Sequence, residues 1–299
     1  MLSVVVCTYN RAKYIGTCIE KLANQNCNKK DYEVLIVDNK STDNSKEIID
    51  AVISKYPEAP LKYYLEENQG HTYARNRGIK ESKGNIISFL DDDAFVKDDY
   101  VETLIEYFSK HPDVQAVGGK IVPVYETQEP KWMSKYLLTL VSALDMGDNV
   151  KGFPSSKFPI GANMAFRATV FDKYGLFNVE LGRRADGLEG GDEKEVFIRL
   201  RGNNELIHYV PSIEVEHIIP EKRTRKEYIK GLGIGVGSSE MKRLKSATLP
   251  EKLKKYFSEI IKSIGSIILF LIYMLNGKWA AAKMLIQFRI WVWKGLITK

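Results

Sequence analysis

The stretch "IISFLDDDAF", residues 86–95, carries the reading of the fold: five apolar or small residues run straight into three aspartates, and the chain then turns apolar again. Alternation along an extended chain puts Asp91 and Asp93 on one side and Asp92 on the other. Adjacent carboxylates at the end of a buried strand repel one another and raise each other's pKa unless a cation sits among them. A hard divalent ion, Mg2+ or Mn2+, suits such all-oxygen ligation, with diphosphate oxygens completing its shell. Aspartates that merely form a turn are the plainer reading of the same residues.

Working outward, the runs before this strand repeat its plan. "LSVVVCTYN" (2–10), "YEVLIVDNKSTDNS" (32–45) and "LKYYLEENQG" (61–70) each pass from apolar to polar. They alternate with helical spacing in "AKYIGTCIEKLANQ" (12–25), "KEIIDAVISKY" (46–56) and "TYARNRGIKES" (72–82). Four strands alternating with helices predict a parallel α/β sheet with right-handed crossovers. Ligands of such sheets bind beyond the carboxyl ends of the strands, so Tyr9, Asn10, Asp38 and Asp91 to Asp93 are expected to converge on one crevice.

Beyond a helix at "YVETLIEYFSKHP" (100–112) the pattern is less regular, and this second half reads as part of the same fold. "GGDEKEVFIRLRGN" (190–203) reads as a helix beginning near Asp192 with acids in its first turn. "ELIHYVPSIEVEH" (205–217) returns to strand composition. The glycines of "KGLGIGVGSS" (230–239) follow no strand, so a phosphate loop is not indicated; they are expected to loosen or break a helix linking body to tail.

The formal net charge is +6. From Glu251 onward nine Lys or Arg stand against two Glu, leaving 35 basic against 36 acidic residues in the first 250. The basic part is also the most apolar, which favours an anionic membrane surface over nucleic acid. Its run "IGSIILFLIYML" (264–275) is twelve residues, short of the roughly 20 a clean span needs. Trp279, Trp291 and Trp293 among cations suit an interfacial helix. A docked helix pair or a homo-oligomer contact is the alternative use of this tail. Three cysteines, Cys7, Cys18 and Cys27, without paired spacing read as reduced, and Met1 leads into a strand without the plan of a signal peptide. The expected location is the cytoplasmic face of the membrane.

Five segments in order, "SVVVCTYNRAKYIGTCIEKLANQ", "VLIVDNKSTDNS", "NQGHTYARNRGIKESKGNIISFLDDDAF", "PIGANMAFRATVFDKYGLF" and "GGDEKEVFIRLRGNNELIHYVPSIEVEH", together resemble the family 2 inverting glycosyltransferases, from about residue 2 to about residue 220. The resemblance implies a GT-A fold, a mixed and mainly parallel sheet flanked by helices. It implies a catalytic domain over 1–220, with a nucleotide-sugar half (1–120) and an acceptor half (121–220), then a 221–250 linker and a 251–299 membrane-associating tail. Thr8, Tyr9, Asn10 and Arg11 would border the nucleotide and Asp38 would hold its base, with uridine diphosphate the favoured carrier. Asn68, Gly70, Arg75 and Asn76 match the segment that closes over the donor. Asp91 and Asp92 would face the sugar nucleotide, and Asp93, with Asp91 and His217, the metal.

Inverting transfer needs one general base, which the family takes from a Glu-Asp pair at a helix start. Here the order is reversed, Asp192 then Glu193. Alignment on the following "RL" puts Glu193 at the base position, with Asp192 the alternative. Asn163 lies where the family approaches its acceptor, a glycan or a lipid-linked sugar, and Trp132 could stack on a sugar ring. Two other readings stand beside this one. A nucleotidyltransferase would open with a Gly-rich basic loop that "CTYNRAKY" lacks, and a non-catalytic membrane-tethered scaffold would leave the acidic motif idle.

Overall fold

The computed structural model describes residues 1–182, 191–245 and 247–298. The described residues divide into two compact units, one of 1–124, 142–182 and 191–218, the other of 125–141, 219–245 and 247–298. This partition cuts the chain differently from boundaries at 220 and 250, because 125–141 joins the C-terminal segment and 221–250 is part of the second unit.

In the first unit β1 (Leu2–Thr8), β2 (Tyr32–Asp38), β3 (Leu61–Leu65) and β4 (Ile86–Asp91) pair in parallel, alternating with α1 (Ala12–Ala23), α2 (Ser45–Lys55) and α3 (His71–Glu81). All seven residues of β1 and of β2 are buried, as expected of parallel strands covered on both faces. The helical spacing read in α1 buries Ile15, Cys18, Ile19 and Leu22 on one face.

The chain then adds β5 (Ala94–Val96), α4 (Tyr100–Lys110), β6 (Val114–Tyr125), β7 (Lys151–Gly152), β8 (Asn163–Arg167), α5 (Thr169–Tyr174), α6 (Asp192–Gly202) and β9 (Leu206–Ile219). The sheet order is β3-β2-β1-β4-β8-β6-β9-β5, with β7 on β9. β8 runs antiparallel to β4 and β6, and β9 antiparallel to β5 and β7. Phe89 of β4 meets Phe166, Phe171 and Phe177 edge-on, with centroids 5.3 to 6.1 Å apart, tying the later segments to the parallel core.

The second unit holds α7 (Glu221–Thr224), α8 (Lys226–Leu244), α9 (Leu249–Leu275) and α10 (Trp279–Ile297). Leu137, Leu140, Ile229, Met284, Leu285, Phe288 and Trp291 form its core, and Trp132 packs against it half-buried. α8 runs unbroken through the glycines expected to interrupt it. They serve close packing: a Cβ on Gly237 would stand 2.2 Å from the Val292 carbonyl oxygen, and one on Gly295 of α10 2.1 Å from that of Ile234.

α9 is longer than its apolar run and is the one helix among the described residues long and apolar enough to cross a membrane. Its two sides differ. Phe257, Ile260, Ile264, Ile268, Leu271 and Leu275 are exposed along one side. On the other, buried Glu259 takes Lys255 at 2.9 Å, Lys262 at 2.7 Å and Arg289 of α10 at 3.1 Å.

Candidate active site

The parallel register aligns the polar strand ends: Thr8 lies opposite Asp38, and Cys7 opposite Asp91. Asp38 is buried and both its oxygens are engaged, Oδ1 by the Ser41 N–H at 2.9 Å and Oδ2 by the Tyr63 hydroxyl at 3.0 Å. Asn39 is buried beside it. Its side chain donates to the Asn68 carbonyl at 2.7 Å and accepts from the Gly70 N–H at 2.8 Å, so it shapes the loop before α3. Gly70 turns into α3 at φ +144°, which glycine adopts without strain. Tyr63 and Asn39 escaped the sequence reading. Their only signals were a tyrosine one strand over and an asparagine directly after the strand-end aspartate.

Thr8 is buried and Tyr9 exposed. Asn10, at φ +54°, accepts the Thr42 N–H at 2.7 Å, while Asp43 takes the Ala12 N–H at 3.1 Å at the start of α1. The first and second βα turns are thus tied together through Asn10 and Asp43. Arg11 turns to the aspartates: Nε lies 3.4 Å from Asp92 Oδ1 and Nη2 3.2 Å from Asp93 Oδ2. The cation that three adjacent carboxylates demand is therefore already partly supplied by a side chain. Asp92 is pushed up to about 7, by burial first and then, against the opposing Arg11 charge, by Asp93.

After Asp93 the chain doubles back as β5, which pairs with β9 so that Ala94 lies opposite His217. The Ile218 N–H donates to the Asp93 carbonyl at 2.8 Å, and His217 Nε2 stands 2.9 Å from Asp93 Oδ1. One ligand atom each from Asp91, Asp93 and His217 fall within 4.8 Å of one another. Two carboxylates and an imidazole nitrogen fit a divalent ion. Burial pushes the Cys7 thiol up to about 12, opposed by Arg75, which suits an inert core cysteine. Among the described residues all three cysteines are free.

α6 begins with Asp192 and Glu193, and both meet Arg75 of α3. Arg75 Nη1 lies 2.5 Å from Asp192 Oδ2 and Nη2 3.1 Å from Glu193 Oε1. Asp192 is buried, whereas the Glu193 side chain is 25% exposed. Burial, then the neighbouring Glu193 charge, raises the Asp192 pKa. For Glu193 burial acts the same way, but the Arg75 charge and the Asp192 hydrogen bond outweigh it and hold the carboxyl well below its usual range.

Two residues expected at the ligands are committed elsewhere. Asn76 donates to the Phe177 carbonyl at 2.9 Å and accepts the Phe177 N–H at 3.0 Å. Asn163, expected toward the acceptor, is buried. It donates to the carbonyls of Lys120 (3.1 Å) and Ile213 (2.8 Å) and accepts the Tyr100 hydroxyl at 3.1 Å, so it joins strands inside the sheet. Asn68 is exposed, and Trp132 belongs to the second unit.

The profile of Glycosyl transferase family 2 matches residues 3–175. The chain belongs to this family. This family 2 glycosyltransferase is 28% identical over 233 residues to the glucosyl-dolichyl phosphate glucuronosyltransferase of Haloferax volcanii, covering 76% of this chain and 72% of that one. It is 33% identical over 129 residues, 42% of this chain and 40% of the relative, to a Methanococcus voltae enzyme named as a dolichyl N-acetyl-alpha-D-glucosaminyl phosphate diacetamido-dideoxy-glucuronosyltransferase. Among solved structures it resembles the mannosyltransferase PcManGT of Pyrobaculum calidifontis, in complex with GDP-Man and Mn2+, at TM-score 0.67 and 15% identity over 98% of this chain and 85% of that one. S. aureus TarS 1-349 with UDP-GlcNAc follows at TM-score 0.58 and 17% identity, covering 97% and 90%. The GT-A fold of the glycosyltransferase is thereby shared with enzymes whose structures hold different nucleotide sugars.

Proposed function

We propose that this glycosyltransferase moves a sugar, with inversion, from a nucleoside diphosphate sugar to a lipid-linked or glycan acceptor of a cell-surface glycan at the cytoplasmic membrane face. The observation carrying this reading is the convergence of Asp91, Asp93 and His217 at the end of β4, with β1 between it and the strand end that bears Asp38. Asp38 would border the base, with uridine the favoured nucleoside, and Asp91, Asp93 and His217 would hold Mn2+ or Mg2+. The ion, when bound, would neutralise the departing diphosphate. Glu193, partly exposed and ionised, would take the acceptor hydroxyl's proton as sugar transfer proceeds, with no covalent sugar-enzyme intermediate. The lipid-linked acceptor is supported by the dolichyl phosphate acceptors for which the Haloferax volcanii and Methanococcus voltae relatives are named.

Membrane attachment is supported by α9. At about 1.5 Å per residue its 27 residues present an apolar edge along the whole helix, and the Glu259 cluster fills the opposite side. That asymmetry suits a helix lying in the interface rather than spanning. Exposed Lys254, Lys278, Lys283 and Lys294 would favour anionic lipid.

The test is a nucleotide-sugar panel with the full chain. Mn2+-dependent donor hydrolysis with one sugar nucleotide is expected. Absence of metal-dependent nucleotide binding by calorimetry would leave the scaffold reading.

A further inference from the structure

Arg75 was expected to contact the donor, and its surroundings leave it no room to do so. The side chain is 2% exposed. One nitrogen of its terminal pair lies on Asp192 and the other on Glu193. The Phe177 ring lies 5.5 Å from the guanidinium carbon, and Phe177 is itself clamped by Asn76. The backbone of Gly161 presses on the same group: a Cβ there would stand 1.9 Å from Arg75 Nη2 and 2.4 Å from Glu193 Oε1. We propose that Arg75 is the positioning residue of the carboxylate pair, anchoring Asp192 inside while the Glu193 side chain it also holds stays partly exposed, and that Gly161 is glycine to admit this arrangement.

Electrostatics fit the geometry. Two carboxylates against one guanidinium leave one negative charge in excess, so a shared proton goes to the more deeply buried partner, Asp192. Arg75 and His71 reach Glu193 from α3 and Asp192 adjoins it on α6, while Asp91 and Cys7 face Arg75 from the ends of β4 and β1. Sequence alone left open which acid is the base. Arg75 assigns the roles by giving the two acids unequal exposure and charge.

This inference rests on the glycosyltransferase reading for its catalytic meaning, but one readout is independent of turnover. In the full-length protein labelled with 13C at the glutamate carboxyl, the Glu193 resonance, assigned with Glu193→Gln, is expected not to titrate through the ordinary carboxylate range. In Arg75→Met its midpoint should rise by about one to three pH units. The same variant should lose transfer by about 10²-fold or more, shift the acid limb of the pH–rate profile upward, and keep Mn2+-dependent affinity for uridine diphosphate within about threefold, a ΔΔG near 0.65 kcal/mol. Arg75→Lys should restore part of the midpoint. Gly161→Ala, which removes no charge, should slow transfer without weakening nucleotide binding, and covers the case in which Arg75→Met fails to fold. An ordinary Glu193 midpoint in the wild type would overturn the proposal. So would an unmoved acid limb in Arg75→Met with nucleotide affinity down about tenfold, 1.4 kcal/mol, which would return Arg75 to the donor. A wild type that transfers no sugar yet shows the depressed midpoint would refute the enzymatic reading and leave the positioning intact.

Discussion

Glu193 and Asp192 sit side by side in sequence and differ in what they can do. Glu193→Gln keeps a group of the same shape on Arg75 but cannot take a proton. Transfer should fall about 10²- to 10⁴-fold while calorimetry finds nucleotide binding nearly unchanged. Asp192→Ala acts through folding, because it removes a partner from a buried guanidinium. It should cost about 3 kcal/mol or more in denaturant unfolding. Asp93→Ala removes the carboxylate that touches both Arg11 and His217, and titration should show Mn2+ binding lost along with donor hydrolysis. The acids were legible as a class because three adjacent carboxylates closing a buried strand repel one another, and because the Asp192–Glu193 pair falls in a segment that resembles the family's. Their partners were not: Arg11 was read as a nucleotide neighbour, Arg75 as a donor contact and Asn163 as an acceptor contact, and each is taken up by groups far along the chain.

Among the elements, the parallel strands and their helices were legible because hydrophobic period and turn composition are local. The α8 glycines show the opposite case. A run of glycines lowers helix propensity, and only the approach of α10 explains why the helix persists: with no Cβ the two backbones meet, burying Ile229, Phe288 and Trp291. Gly295→Ala should therefore destabilise the second unit by about 1 to 3 kcal/mol. Tryptophan fluorescence would isolate that loss, because all four tryptophans, Trp132, Trp279, Trp291 and Trp293, lie in this unit.

For the whole molecule, the second unit decides how membrane attachment can be tested. Deleting residues 251–299 would take Met284, Leu285, Phe288 and Trp291 from the core that holds Leu137, Leu140 and Ile229, so the deletion should aggregate. Replacing exposed Ile264 and Ile268 by Glu leaves that core intact. The doubly substituted protein should fail to float with anionic vesicles while keeping donor hydrolysis. Loss of self-association without any vesicle binding by the wild type would instead identify α9 as a contact between copies. By itself the sequence determined the order of strands and helices, the family, and the polar strand ends that gather at the candidate site, since each depends on neighbours a few residues apart. Tertiary structure alone decided which cation faces which acid, that Asn163 and Asn76 are structural ties, and that α8 is continuous. Those outcomes turn on contacts such as Arg75 to Asp192, 117 positions apart, and a one-dimensional pattern carries no record of which distant groups burial will bring together.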